Sequence, residues 1–140
     1  MANRPTSFET WQATIPQRIR KSSLWSYIAY PKAMFLYDLV WFDCEKLEKD
    51  RRGRAIEEQI IRSAGSISAN IEEGYGRGLG ADYARFLKFA LGSARETQGW
   101  YLRARHLLTD KVLDHRLALL DEIIALLVTT IAQQKSKRSK

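Results

Sequence analysis

The sequence has few of the residues that staple small proteins or bind metal in them. It has one cysteine, Cys44, and two histidines, His106 and His115. A single cysteine excludes an internal disulfide, and this inventory falls short of a zinc site, which needs about four Cys, His or carboxylate ligands. The Glu-x-x-His pair that a di-metal helical bundle requires is missing as well. No apolar run near the start resembles the core of a signal peptide. None elsewhere approaches the ~20 apolar residues of a membrane span, since Ala33–Phe42 is short and interrupted by Asp38. No segment alternates with period two, so no sheet is expected. These absences point to a soluble, cytoplasmic, all-α protein that holds no metal or cofactor and does not enter a membrane. At 140 residues the chain is one domain with a sufficient core.

Charge is present in excess of one sign, and its distribution matters more than its sum. The formal net charge is +7. Residues 1–21 contribute +3 and residues 135–140 contribute +4, while residues 22–134 carry fifteen basic and fifteen acidic side chains. Long-range attraction to phosphate therefore resides mainly at the two ends. The expected organisation is a basic, partly flexible N-terminal segment (1–24), a bundle (25–134) and a basic tail (135–140).

Four helices are legible by period. The first begins around Trp25–Pro31 and runs to Lys49, before Asp50-Arg51-Arg52-Gly53. The second runs from about Arg54 to Glu73, with Ile56, Ile60, Ala64, Ile67 and Ile71 on one face and Gly74 as its stop. The third starts near a capping Asp82 and carries Tyr83, Phe86, Ala90, Ser93, Thr97, Trp100, Ala104 and Leu107. The fourth carries Leu113, Leu117, Leu120, Ile124, Leu127 and Ile131. Three–four spacing and short connectors predict an antiparallel up-down four-helix bundle. The first helix is apolar almost all round, and the fourth adds Leu119, Ile123 and Leu126 beside its main stripe. A second apolar face implies further burial, and a ring-shaped homo-oligomer supplies it.

Small residues cluster in the second helix (Ala64-Gly65-Ser66-Ile67-Ser68-Ala69) and the third (Ala90-Leu91-Gly92-Ser93-Ala94). Folding one back on the other around a turn near 77–80 places Ser66 opposite Leu91, Arg62 opposite Glu96 as an ion pair, and Asn70 opposite Leu87. Close backbone approach then accounts for Gly65 and Gly92. Ser66 and Ser68 read as packing residues bonding back to the preceding turn, and Asn70 as a buried amide bonding across to the third helix.

The run Arg62-Ser63-Ala64-Gly65-Ser66-Ile67-Ser68-Ala69-Asn70-Ile71-Glu72-Glu73-Gly74-Tyr75-Gly76-Arg77 resembles the signature of the bacterial four helix bundle proteins first noticed in intervening sequences of large-subunit ribosomal RNA. Phe86-Leu87 through Ala90-Leu91-Gly92-Ser93-Ala94-Arg95-Glu96-Thr97 is similar to that family's second block, and Tyr30-Pro31-Lys32-Ala33-Met34 to the start of its first helix. The resemblance covers residues 25–134. It implies an up-down bundle, a ring-shaped homopentamer and no catalytic activity. The sequence is also similar to the accessory proteins of diversity-generating retroelements, which implies nucleic acid and a reverse transcriptase as partners. Two departures stand out: the body of this chain is formally neutral, and Glu72 replaces a residue that is more often small.

Catalytic residues are not expected, because Ser66, Ser68 and Ser93 lie far from either histidine and a nucleophile needs an adjacent base. Gly74-Tyr75-Gly76-Arg77-Gly78-Leu79-Gly80 reads as a turn, since no strand precedes it as in a phosphate loop. Arg77, Arg85, Lys88, Arg95, Arg103 and Arg105 gather on the third helix and its flanks. Together with Lys135, Lys137, Arg138 and Lys140 they are the candidate RNA- or DNA-binding residues. A solvated helix face with intersubunit salt bridges is the other reading of the same arginines. The expected function is a non-enzymatic homo-oligomeric scaffold, by resemblance pentameric, that binds nucleic acid as an accessory to a reverse transcriptase or other nucleic-acid enzyme. The alternative is an adaptor for protein partners.

Overall fold

The computed structural model describes residues 4–138. These contain helices α1 (Phe8–Gln12), α2 (Gln17–Arg20), α3 (Ala29–Leu47), α4 (Arg51–Gly76), α5 (Ala81–Arg103) and α6 (Asp110–Arg138), with 3-10 turns at Ser23–Ser26 and Ala104–His106. The four long helices form the bundle, and among the described residues there is no strand. Short connections make α3, α4, α5 and α6 successive antiparallel neighbours, and α6 returns to pack on α3.

Each long helix forms because its apolar residues recur once per turn and find a partner. In α3, Ala29, Ala33, Leu36, Val40 and Leu47 are all buried. Ile60, Ala64, Ile67 and Ile71 of α4 face Leu87, Ala90, Ala94 and Tyr101 of α5 within the same core. Helix α4 starts at Asp50, whose carboxylate accepts from the amides of Arg52 (2.8 Å) and Gly53 (3.0 Å). Those bonds hold the Asp50 carboxyl below its usual range, the Gly53 amide contributing most.

Helix α4 does not stop at Gly74, as the sequence suggested, but continues through Gly76. Gly74 is required by packing: a β-carbon there would lie 2.7 Å from the Phe86 β-carbon. The turn instead uses the positive φ of Gly78 (88°) and Gly80 (92°). Gly80, not Asp82, is the N-cap of α5, and its amide donates to the buried Gln134 of α6 at 2.8 Å.

The stripe assigned to the fourth helix is rotated. The inward residues of α6 are Leu119, Leu120, Ile123, Leu127 and Ile131, while Leu113, Leu117 and Ile124 are half-buried. Leu119 and Ile123 are thus core residues and do not form a second face. Helix α6 is also long and apolar enough, by length and composition, to cross a membrane. The expectation that no segment approaches a membrane span in length and apolarity does not hold for α6. In the bundle α6 is a core helix with one inward face.

The second apolar face of α3 has a local partner. The segment before the bundle folds over it: Ser7 caps α1, and Trp11 and Trp25 stack with ring centroids 6.0 Å apart. Trp11 also meets Phe35 at 5.3 Å, and Phe8 meets the same ring at 5.6 Å. Asp38, which interrupts the apolar run, accepts the Trp11 indole N–H at 2.7 Å. Much of the apolar excess of α3 is therefore covered within one chain, without a neighbouring copy.

A buried polar cluster ties three helices together. Asp43 on α3 is 4% exposed and accepts from the Tyr101 hydroxyl on α5 at 2.6 Å. It also takes a two-pronged bond from Arg116 on α6, with Nε at 2.8 Å and Nη2 at 2.9 Å. Burial disfavours the Arg116 charge, but bonding and attraction to Asp43 outweigh it and raise its pKa above the ordinary value.

Candidate nucleic-acid interface

The seam between α4 and α5 carries the register expected from the sequence. Arg62 pairs with Glu96 as expected. Glu96 also accepts the Trp100 indole N–H at 2.9 Å, and that bond, followed by Arg62, holds its carboxyl below the usual range. Beside that pair the Thr97 hydroxyl donates to Ser63 at 2.9 Å, and about one turn along the seam Ser93 donates to Ser66 at 3.0 Å. Ser68 bonds back to the Gly65 carbonyl at 3.3 Å. Asn70 does not cross to α5. Its amide donates along its own helix to the Ser66 carbonyl at 2.8 Å.

The glycines divide differently from the expectation. Gly65 faces the Tyr37 ring of α3, 3.4 Å from where a β-carbon would sit, and Gly92 is exposed with open space around it. The close approach of α4 and α5 is at Gly74, so Gly92 is not a packing residue. Small size in a helix interior does not by itself show which way the position faces.

The candidate cationic side chains occupy one outward arc of α5 and both of its ends. Arg85, Lys88, Arg95 and Arg103 follow one another at intervals of three, seven and eight residues, a spacing that keeps them on one side of a helix, and all four are exposed. Arg85 lies over Phe86 at 4.8 Å and Phe89 at 5.7 Å, with Asp82 3.6 Å away. Phe89 is itself 47% exposed. Arg103 lies over the Trp100 ring at 4.7 Å. The array runs about 27 Å along the axis, at ~1.5 Å per residue, so the arginines form a track with two poles and not one tight patch.

The first pole lies where the ends of α4 and α6 meet the start of α5. Arg85, Lys88 and Lys135 line a cavity there of about 310 Å³. Arg77 is beside it in the fold, pairing with Glu73 at 3.3 Å and lying over Phe86 at 5.2 Å. Lys137 and Arg138 continue α6 in the same direction, their side chains outside the described set, and Lys140 lies outside the described residues. The second pole holds Arg103 and Arg105; Arg105 donates to the Leu102 carbonyl at 2.9 Å. A convergence of α6 with the start of α5 is not readable from spacing within either helix.

Among the described residues, the thiol and the seam hydroxyls are held in unreactive forms or bonded to one another. The Cys44 thiol is pushed up to about 12 by burial first and by the Glu57, Asp43 and Glu48 carboxylates after it. The Ser66 and Ser93 hydroxyls are bonded to one another. Glu72, the unusual acid in the signature, accepts the Tyr30 hydroxyl at 2.6 Å and so ties α3 to α4.

The seam residues that carry the family likeness are thus the ones that join α4 to α5. The model of the 23S rRNA-intervening sequence proteins matches residues 26–129. The chain belongs to that family. A crystal structure of a protein with unknown function from the S23 ribosomal protein family of Bacteroides thetaiotaomicron is similar, with 26% identity and a TM-score of 0.67. The similarity covers 74% of this chain and 97% of that one. No match is found among curated proteins. The family match begins at residue 26, so the Trp11–Trp25 stack that covers α3 lies before the matched region.

Proposed function

We propose that this intervening sequence protein is a non-enzymatic, self-associating scaffold that binds nucleic acid along the outward arc of α5. The observation that supports it is the track of Arg85, Lys88, Arg95 and Arg103, interleaved with the exposed Phe89 and joined by Lys135 at one pole. Guanidinium groups stacked on aromatic rings present both charge for phosphates and flat surfaces for bases, a combination that suits single strands. Five copies in a ring, as the family resemblance implies, multiply a modest field into a strong one. The same resemblance supports a role beside a reverse transcriptase or other nucleic-acid enzyme.

The test is binding of a labelled single strand and a structured RNA across a salt series, comparing the full chain with an Arg85→Gln, Lys88→Gln, Arg95→Gln variant. Each lost phosphate contact lowers the log–log salt slope by about 0.7–0.9, so the variant's slope falls by roughly 2–3. An unchanged slope removes α5 from the interface, and binding insensitive to salt ends the reading.

A second reading, an adaptor for protein partners, is favoured by outward apolar residues: Trp41 is 58% exposed and Val128 46%. It predicts a partner whose capture survives nuclease treatment.

A further inference from the structure

At the second pole a separate cavity of about 220 Å³ opens between the start of α4 and the turn after α5. Three cationic or protonatable side chains from three different elements line it: Arg52 in the first turn of α4, Arg103 at the end of α5, and His106 in the 3-10 turn. Its inner end is closed by the buried Gly53 and the half-buried Ile56 and Leu107. Gly53 cannot carry a side chain, since a β-carbon would collide with the Leu47 carbonyl oxygen and lie 2.7 Å from Leu107 Cδ1.

The charges here are only loosely paired with one another. The Arg103 guanidinium lies over Trp100 and folds back across Gly99, where a β-carbon would be 2.9 Å from its Nη1. It feels the charge of Glu96, yet among the described residues it forms no hydrogen bond and has no carboxylate within salt-bridge distance. Arg52 reaches only to 3.9 Å from Asp50. Asp50 is the one acid in the lining; its Oδ1 accepts from the amides of Arg52 and Gly53, and its charge offsets one of the two guanidinium groups. Two guanidinium-bearing side chains and an imidazole, set around an apolar floor and outnumbering the single carboxylate, suit an anion attached to a small organic group.

We propose that this cavity binds a phosphate monoester, with the phosphate held by Arg52, Arg103 and His106 and the attached sugar or carbon chain resting on Ile56 and Leu107. A pocket closed at its inner end takes a terminal group, not a chain running through, which selects a monoester over the internal diester of a strand. The source is a free nucleotide or the phosphorylated end of a nucleic acid. The inference goes beyond strand binding on α5, because a mononucleotide is too short to follow that track.

The test is calorimetric titration of the full chain with adenosine monophosphate, adenosine and inorganic phosphate, repeated on an Arg52→Gln, His106→Gln variant. Both substituted side chains are exposed, so circular dichroism should be unchanged. Adenosine monophosphate binds saturably and adenosine does not. The variant weakens monophosphate binding by roughly tenfold or more, the loss of charge-assisted bonds. Competition by a 5′-phosphorylated oligonucleotide but not by its 5′-hydroxyl counterpart identifies a strand end as the source. Competition by neither identifies a free ester, and both outcomes keep the site. Equal binding of adenosine and its monophosphate, no saturable monoester binding, or an unaffected variant overturns the proposal. The Arg85, Lys88 and Arg95 variant keeps monophosphate binding while losing strand affinity, so the two proposals fail separately.

Discussion

Replacing Arg116 by methionine is the sharpest test of how the bundle is locked. The substitution keeps an unbranched apolar stem but removes both guanidinium bonds to Asp43. Asp43 is 4% exposed and would retain only the Tyr101 hydroxyl, at 2.6 Å. Breaking a buried pair on one side leaves an uncompensated charge and costs about 3–5 kcal/mol. For a chain of this size that corresponds to a fall of about 10 °C or more in Tm. Urea unfolding followed by circular dichroism measures it directly. A triple variant, Asp43→Leu, Tyr101→Phe and Arg116→Met, should recover most of the loss, because an apolar replacement of comparable volume needs no desolvation of charge. A loss under about 1 kcal/mol for Arg116→Met would mean that Asp43 is not sealed from water, and the reasoning would be wrong. A triple variant as unstable as the single one would show that the cluster contributes net stability through its bonds.

Two further predictions follow from packing and from titration. Gly92→Ala should stabilise the chain by about 0.5–1 kcal/mol, since it sits mid-helix in open space, and Gly74→Ala should destabilise it by about 1–3 kcal/mol by pressing on Phe86; equal effects in urea unfolding would contradict the glycine assignments. At alkaline pH, burial raises the phenols of Tyr30, Tyr83 and Tyr101 above their ordinary 10.0, Tyr83 to about 12. The folded state therefore holds protons that the unfolded chain releases, so stability is intact below pH 10 and declines as pH rises through those raised values. A urea midpoint that stays flat from about pH 9 to about pH 12 would refute their burial.

The sequence by itself determined the four helices, their antiparallel order and the Arg62–Glu96 register. Each depends on local periodicity or on the length of a connector, which one chain displays directly. The family likeness was legible in the same seam. Only the tertiary structure decided which way the ambiguous positions point. Leu119 and Ile123 are inward while Ile124 is half-buried, and Gly74 rather than Gly92 is the close approach. Helix α6 is apolar around most of its circumference, so its period leaves its rotation undetermined until neighbours fix it. The same holds for contacts between distant parts of the chain. Asp38 reads as an interruption in an apolar helix; its partner Trp11, and Arg116, the partner of Asp43, lie 27 and 73 residues away. The cavity lined by Arg52, Arg103 and His106 exists only because three element ends meet at one pole. Helical spacing reports one face of one element, while buried charges and cavities belong to the space between elements.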